Sequence, residues 1–400
     1  MKIAAIETIQ LEHLPNLVWV EVHTDDGLVG IGETCKSANA VAAHVHQIAA
    51  PYLLGKDPLQ IESHNAFLLS PICGFSSTSA EIRAASAIDI ALWDLFGKAY
   101  GMPVWQALGG RCHDRIRVYN TCASNDYNAY ATWRRELRGD ESARLRDRYD
   151  DLTAWNHHAG ELACDLLAEG YTAMKIWPFD RFATSGGNAF LPASDIRRGL
   201  DPFEKIRAAV GDRIEIMCEM HSCWQLPAAI AIGRALRDVT PFWVEDPIRM
   251  DDPASLRCFR DSTGLPVTAS ETVGTRTAFR GYLEAQAVDY VMFDVGWCGG
   301  LTESRKIAAM ADTYKRPIAA HDCVGPIVLM ASIHLAFHAP NTLVQEVVRA
   351  FLHGFYRDLV TDLPIVDHGY ISPPLAAGLG TALLPDLRGR DNAIVRRSAL

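Results

Sequence analysis

Three apolar runs in this 400-residue chain end in a carboxylate: Ile214-Glu-Ile-Met-Cys-Glu219, Phe242-Trp-Val-Glu245 and Pro266-Val-Thr-Ala-Ser-Glu271. Positions 219, 245 and 271 are spaced 26 residues apart, close to the roughly 30 residues of one unit of a (β/α)8 barrel, whose reactive groups lie at the C-terminal strand ends. Three carboxylates brought together by three strands can hold one hard cation. Later runs end the same way in Asp294, His321 and Glu346, at further steps of 23, 27 and 25 residues. An earlier run, Thr172-Ala-Met-Lys-Ile-Trp177, offers Lys175 and Trp177 on one face. Glu219 and His221 have the same spacing, and side chains two apart leave a strand on the same side. A buried ion pair or a satisfied core histidine accounts for any one of these positions. It does not account for so many in register, because unpaired buried charges are costly.

The elements that must position these groups follow from periodicity. Residues 3–10, 17–23 and 28–33 alternate as antiparallel strands, with an Asp-Gly hairpin turn at 24–27. From about 38 to 110 the apolar spacing is helical, as in Ala80-Glu-Ile-Arg-Ala-Ala-Ser-Ala-Ile-Asp-Ile-Ala-Leu-Trp-Asp-Leu-Phe-Gly97. After Gly109-Gly110 eight strands alternate with helical stretches, at 117–123, 172–177, 214–220, 242–246, 267–271, 290–295, 318–321 and 343–347. This predicts an α/β protein: a (β/α)8 barrel, or modified TIM barrel, with an α+β capping domain built from the N-terminal segment and the C-terminal tail. The expected divisions are 1–115 (cap), 116–350 (catalytic barrel) and 351–400, whose Pro-Gly-rich tail returns to the cap. The charge-rich stretch 134–151 reads as a solvated helical insertion, and 179–193 as a Gly-rich loop near the active-site mouth.

Composition bounds the function. With 49% hydrophobic and 22% charged residues the chain reads as an ordinary globular protein. A net charge of -10 argues against nucleic acid or an anionic membrane as partner, and requires that an anionic substrate be drawn in by a local cation. The first residues lack the apolar run of a signal peptide and no run approaches membrane-spanning length, so a cytoplasmic location is expected. The ten cysteines show no CxxC pair and are read as reduced packing residues.

Several segments together resemble the enolase superfamily, and within it the acid-sugar dehydratase branch of the mandelate racemase/muconate lactonizing enzyme family. Ala85-Ser-Ala-Ile-Asp-Ile-Ala-Leu-Trp-Asp-Leu-Phe-Gly-Lys98 resembles the family's capping-domain helix and is followed by Gly101-Met-Pro-Val-Trp-Gln-Ala-Leu-Gly-Gly110. Asp294-Val-Gly-Trp-Cys-Gly-Gly-Leu-Thr-Glu303 is similar to the segment after the sixth strand. The resemblance implies that Glu219, Glu245 and Glu271 bind Mg2+, that Asp294 and His321 form the Asp-His dyad, and that Glu346 faces the substrate carboxylate. Trp297 is implied as a substrate contact alongside Lys175, Trp177, His221 and Glu346, and homo-oligomers are common among such proteins.

Two departures set the subclass. Members with a lysine base carry Lys-x-Lys on strand two, whereas this chain has Lys175-Ile-Trp177. An indole cannot take a proton, which leaves His321 as general base and Lys175 to neutralise a carboxylate or enolate. His221, in a Glu-x-His arrangement similar to that of acid-sugar dehydratases, is expected to be the general acid, with a structural histidine beside the metal as its alternative. These readings predict a lyase that takes the α-proton of a sugar acid and eliminates water to a 2-keto-3-deoxy acid. Cycloisomerisation of a sugar-acid lactone, epimerisation using Lys175, and a catalytically silent sugar-acid-binding barrel are the alternatives. Specificity is expected from the cap, where 10–16 is short for a lid and 70–78 is the better candidate for substrate contacts.

Overall fold

The computed structural model describes residues 1–73, 79–127, 148–184 and 187–400. Strands β1 (Ile3–Leu11), β2 (Leu17–Thr24) and β3 (Val29–Cys35) form an antiparallel meander. The helix Ala80–Ala99, buried on every side from Ala84 to Leu95, lies directly on β3. Gly30 and Gly32 permit that contact, because a Cβ on either would stand 2.1 Å and 1.8 Å from the carbonyl oxygens of Ala91 and Ala87.

Eight parallel strands follow, counted among the described residues: β4 (Ile116–Thr121), β5 (Ala173–Ile176), β6 (Glu215–Glu219), β7 (Trp243–Glu245), β8 (Val267–Ala269), β9 (Tyr290–Asp294), β10 (Ile318–His321) and β11 (Gln345–Val347). They pair in chain order from β4 to β10. β11 pairs with β4, and the Leu343 amide donates to the Ile318 carbonyl at 2.9 Å, so the sheet curls closed. A hairpin of β12 (Val366–Asp367) and β13 (Tyr370–Ile371) adds to the start of β4, and the tail ends in β14 (Ala393–Ala399), antiparallel to β1. The tail therefore returns to the cap as expected, but its terminal strand was not legible in a segment that reads as Pro, Gly and charge.

Of two expected insertions, one lies mostly outside the described residues and the other needs correction. Of the stretch 134–151, residues 134–147 lie outside the described residues, and its last member is not solvated. Asp151 opens the helix Asp151–Ala168, is fully buried, and accepts the Arg349 guanidinium at 2.7 Å. In 179–193, of which 185 and 186 lie outside the described residues, Phe179 and Asp180 are buried rather than looped out.

The cap grips the barrel where the dyad is carried. Buried Glu33 of β3 accepts the Trp19 indole N–H at 2.7 Å, and the Ile327 and Val328 amides at 2.9 Å, in the first turn of the helix that follows β10. Thr34 donates to the Gly296 carbonyl, two residues past Asp294, at 2.7 Å. Glu33→Gln sets an amide N–H against one of these donors and is expected to lower stability by about 1–3 kcal/mol in denaturant unfolding. An unchanged midpoint would remove Glu33 from the joint.

Candidate active site

Period two builds the site in layers. The barrel interior is filled by Tyr119, Ala173, Met217, Trp243, Met292, Ala319 and Val344. Two residues further along the same strands stand Thr121, Lys175, Glu219, Glu245, Asp294, His321 and Glu346. An apolar plug thus carries a polar layer at the C-terminal strand ends, and every member of that layer is buried.

Glu271 reaches this layer differently. Val267 and Ala269 pack outward into the surrounding core, so continued alternation would send residue 271 outward as well. β8 instead ends at Ala269, and the chain turns, with the Ser270 hydroxyl donating to Asp246 Oδ2 at 2.6 Å. The expectation that the strand runs to 271 is corrected, yet the carboxylate still arrives. One oxygen each of Glu219, Glu245 and Glu271 lie within 4.8 Å of one another.

The fixed cation beside them is Lys175. Its Nζ is 2.7 Å from Glu245 Oε1, 2.9 Å from Glu346 Oε1 and 3.8 Å from Glu219 Oε2. Burial disfavours the ammonium, but the Glu245 and Glu346 carboxylates hold its pKa well above the ordinary lysine range. Glu346 is further fixed by the Thr121 hydroxyl and by the Asp322 amide at 2.9 Å. One ammonium does not neutralise the cluster: burial pushes Glu219 up to about 7, and burial followed by the Glu219 charge pushes Glu245 well above the carboxylate range. Three crowded, buried oxygen donors with excess negative charge fit a hard divalent cation.

His321 stands between two carboxylates, with Nδ1 2.6 Å from Asp294 Oδ2 and Nε2 2.6 Å from Glu271 Oε2. Burial opposes its charged form, but Glu271 and Glu346 raise its pKa well above the ordinary value. Glu271 moves the other way, held well below the carboxylate range against burial by His321 and then Lys36.

His221 is placed otherwise than its spacing from Glu219 suggests. β6 ends at Glu219, and His221 has a φ of 43°, in a left-handed turn closed by the Met220 and His221 amides donating to Glu219 Oε1 at 2.9 and 2.6 Å. The shared strand face is therefore replaced by a turn. Its imidazole packs edge-on against Trp177 at 5.7 Å, and Nδ1 lies 2.5 Å from Asp180 Oδ2. Burial lowers its basicity, the Asp180 charge raises it, and the net shift is upward. Trp177, one residue past β5, is buried against Trp155 and Tyr127 as well, so it lines this side as apolar area. Trp297 is buried 5.3 Å from the His321 ring.

Sequence reasoning missed Asp180. Its signal was a carboxylate three residues beyond Trp177, inside a segment taken as loop. It also missed Lys36 and Arg83, cap residues whose place beside Trp297 no local spacing reveals. The other cap segment expected to touch substrate, 70–78, is described only to residue 73, and residues 74–78 lie outside the described residues. The ten cysteines are all free. Among the described residues no helix is long and apolar enough to cross a membrane.

Comparison with known proteins matches residues 4–109 to the mandelate racemase/muconate lactonizing enzyme N-terminal domain and 158–387 to the enolase C-terminal domain-like family. The chain is 30% identical to a D-xylonate dehydratase of Haloferax volcanii, over 96% of this chain and 87% of that protein. It is 31% identical to a D-galactonate dehydratase of Ralstonia nicotianae, over 95% and 91%. Among solved structures it superposes on an enolase protein from Sargasso Sea environmental sequencing with a TM-score of 0.88 and 46% identity, covering 100% of this chain and 99% of that one. An enolase of the mandelate racemase subgroup from Agrobacterium tumefaciens, crystallised with a succinimide residue, sodium and phosphate, gives the same TM-score of 0.88, 46% identity and coverage of 100% and 99%.

Proposed function

Because the chain belongs to the mandelate racemase/muconate lactonizing enzyme family of the enolase superfamily, we propose that it is an acid-sugar dehydratase that converts a sugar acid to a 2-keto-3-deoxy acid. The observation that carries this reading is the presence of two carboxylate-paired histidines, His321 with Asp294 and His221 with Asp180, beside one cluster of three glutamates. The dehydratase names of the relatives support the same class.

Glu219, Glu245 and Glu271 would hold Mg2+, an oxygen-seeking ion. When bound, it supplies a Lewis acid that binds the substrate carboxylate and opposes the charge developing there. His321 takes the α-proton on Nε2, the nitrogen on the side of the glutamate cluster. Asp294, on Nδ1, fixes the tautomer that keeps the lone pair on Nε2 and then stabilises the imidazolium. Lys175, anchored by Glu346, adds positive charge that is already in place when the carbanion forms. His221, charged with the help of Asp180, gives a proton to the β-hydroxyl, which departs as water. The resulting enol tautomerises to the 2-keto acid. Trp177 carries no proton and excludes water from this side.

Incubating the Mg2+-loaded protein with a panel of mono- and diacid sugars tests the reading. Formation of 2-keto acid is expected, and release of a lactone isomer or an epimer instead would overturn it. The division of labour has its own test. His221→Asn is expected to slow dehydration by about 10²–10⁴-fold while α-proton exchange in D2O continues, since proton removal comes first. Asp180→Asn should follow it in direction. Dehydration at the normal rate in His221→Asn would return that histidine to a structural role.

A further inference from the structure

The cap closes one side of the site with cations. Lys36 Nζ lies 4.5 Å and the Arg83 guanidinium carbon 4.4 Å from the centroid of the Trp297 ring. Lys36 is the residue after β3, and Arg83 stands in the first turn of the helix Ala80–Ala99, its Nη1 donating to the Cys35 carbonyl at 2.8 Å. Two positive charges share one indole in a chain of net charge -10. Among the described residues neither forms an ion pair. Trp297 itself is only 5% exposed, and its Nε1 has no hydrogen-bond partner among them. A buried donor without an acceptor, beside two cations held by the indole and, for Arg83, by one backbone carbonyl but by no carboxylate among the described residues, matches the chemistry of a missing anion.

We propose that Lys36, Arg83 and Trp297 Nε1 form the subsite for a second anionic group at the far end of the substrate, so that the substrate is a sugar diacid. This rests on the acid-sugar reading, in which Lys175 and the glutamate cluster take the first carboxylate and His321 faces the carbon beside it. The two carboxyl carbons of an extended six-carbon diacid are roughly 6 Å apart at ordinary C–C bond lengths. A chain running from the glutamate cluster past His321 therefore brings its other end toward the indole, which stands 5.3 Å from the base. A monoacid would set a neutral hydroxymethyl group there and gain nothing from the two charges. A terminal phosphate would share the anionic chemistry, so it enters the test as a separate arm.

The test compares hexarates, hexonates of matched configuration and 6-phosphohexonates on the Mg2+-loaded protein, reading α-proton exchange in D2O. Binding of the same acids to His321→Asn, measured by calorimetry, reads the subsite without turnover. The expected result is a preference of at least about tenfold for the hexarate, expressed in KM and in Kd. Lys36→Gln and Arg83→Gln should each erase most of that preference by weakening hexarate binding more than hexonate binding, Arg83→Lys should restore part of it, and Trp297→Phe should weaken hexarate binding more than hexonate binding. Equal use of hexonates by the wild type, a preference for the phosphorylated acid, or variants that slow all three classes alike would overturn the proposal. Exchange without charge selectivity would sink this inference and leave the acid-sugar reading standing, whereas no exchange and no binding with any acid would sink both.

Discussion

Replacing His321 with asparagine is expected to abolish exchange of the substrate α-proton and to lower turnover by about 10³–10⁴-fold, the upper part of the range for removing a positioned general base. The size follows from the geometry. His321 is buried, its Nδ1 is taken by Asp294 at 2.6 Å, and Nε2 is the nitrogen turned toward the glutamate cluster. The position that a lysine base would take offers none: Lys175 is held by Glu245 and Glu346 at 2.7 and 2.9 Å with its pKa raised by them against burial, and Trp177 cannot take a proton. Substrate should still bind, so the loss falls on kcat. Retained exchange at more than a tenth of the wild-type rate would move the base elsewhere, Lys175 being the first candidate.

Glu245→Gln is expected to remove metal-dependent activity by about a thousandfold, the several kcal/mol that a Lewis acid supplies to a developing carboxylate charge. Activity is not the cleanest readout. A ligand that binds only the folded protein raises its stability by mass action, so the wild-type melting temperature should rise with added Mg2+ and that of the variant should not. Glu245 is the sharpest position for this test because its other oxygen accepts the Trp243 indole N–H at 3.2 Å, which ties the carboxylate to the barrel plug. An identical Mg2+ response in wild type and variant would remove Glu245 from the ligand set.

How much of this was legible depends on what period two can carry. Six of the polar positions, at 175, 219, 245, 294, 321 and 346, sit two residues past an inward apolar side chain on a short strand, so alternation and the spacing of one unit find them together. Glu271 and His221 were found by spacing for a reason that does not hold, since both lie beyond their strands in turns that alternation does not describe. Asp180 was missed because its partner is 41 residues away and its own segment reads as loop. β14 pairs residues nearly the whole chain apart, Ala5 with Ala399, and a short exposed strand containing Arg396 and Arg397 carries no apolar pattern to announce it. Lys36 and Arg83 are surface cations by type, and only the packing of the cap onto the barrel brings them to the indole.

The most direct test of the account is a mass measurement of the product formed in D2O. With the Mg2+-loaded protein and a sugar acid that it turns over, the account predicts a product lighter than the substrate by one water, a 2-keto acid carrying solvent deuterium at C3, formed by wild type and not by His321→Asn. A product that keeps all the substrate's oxygen, with deuterium returned to the α-carbon, would contradict it and make the protein an epimerase built on the same residues.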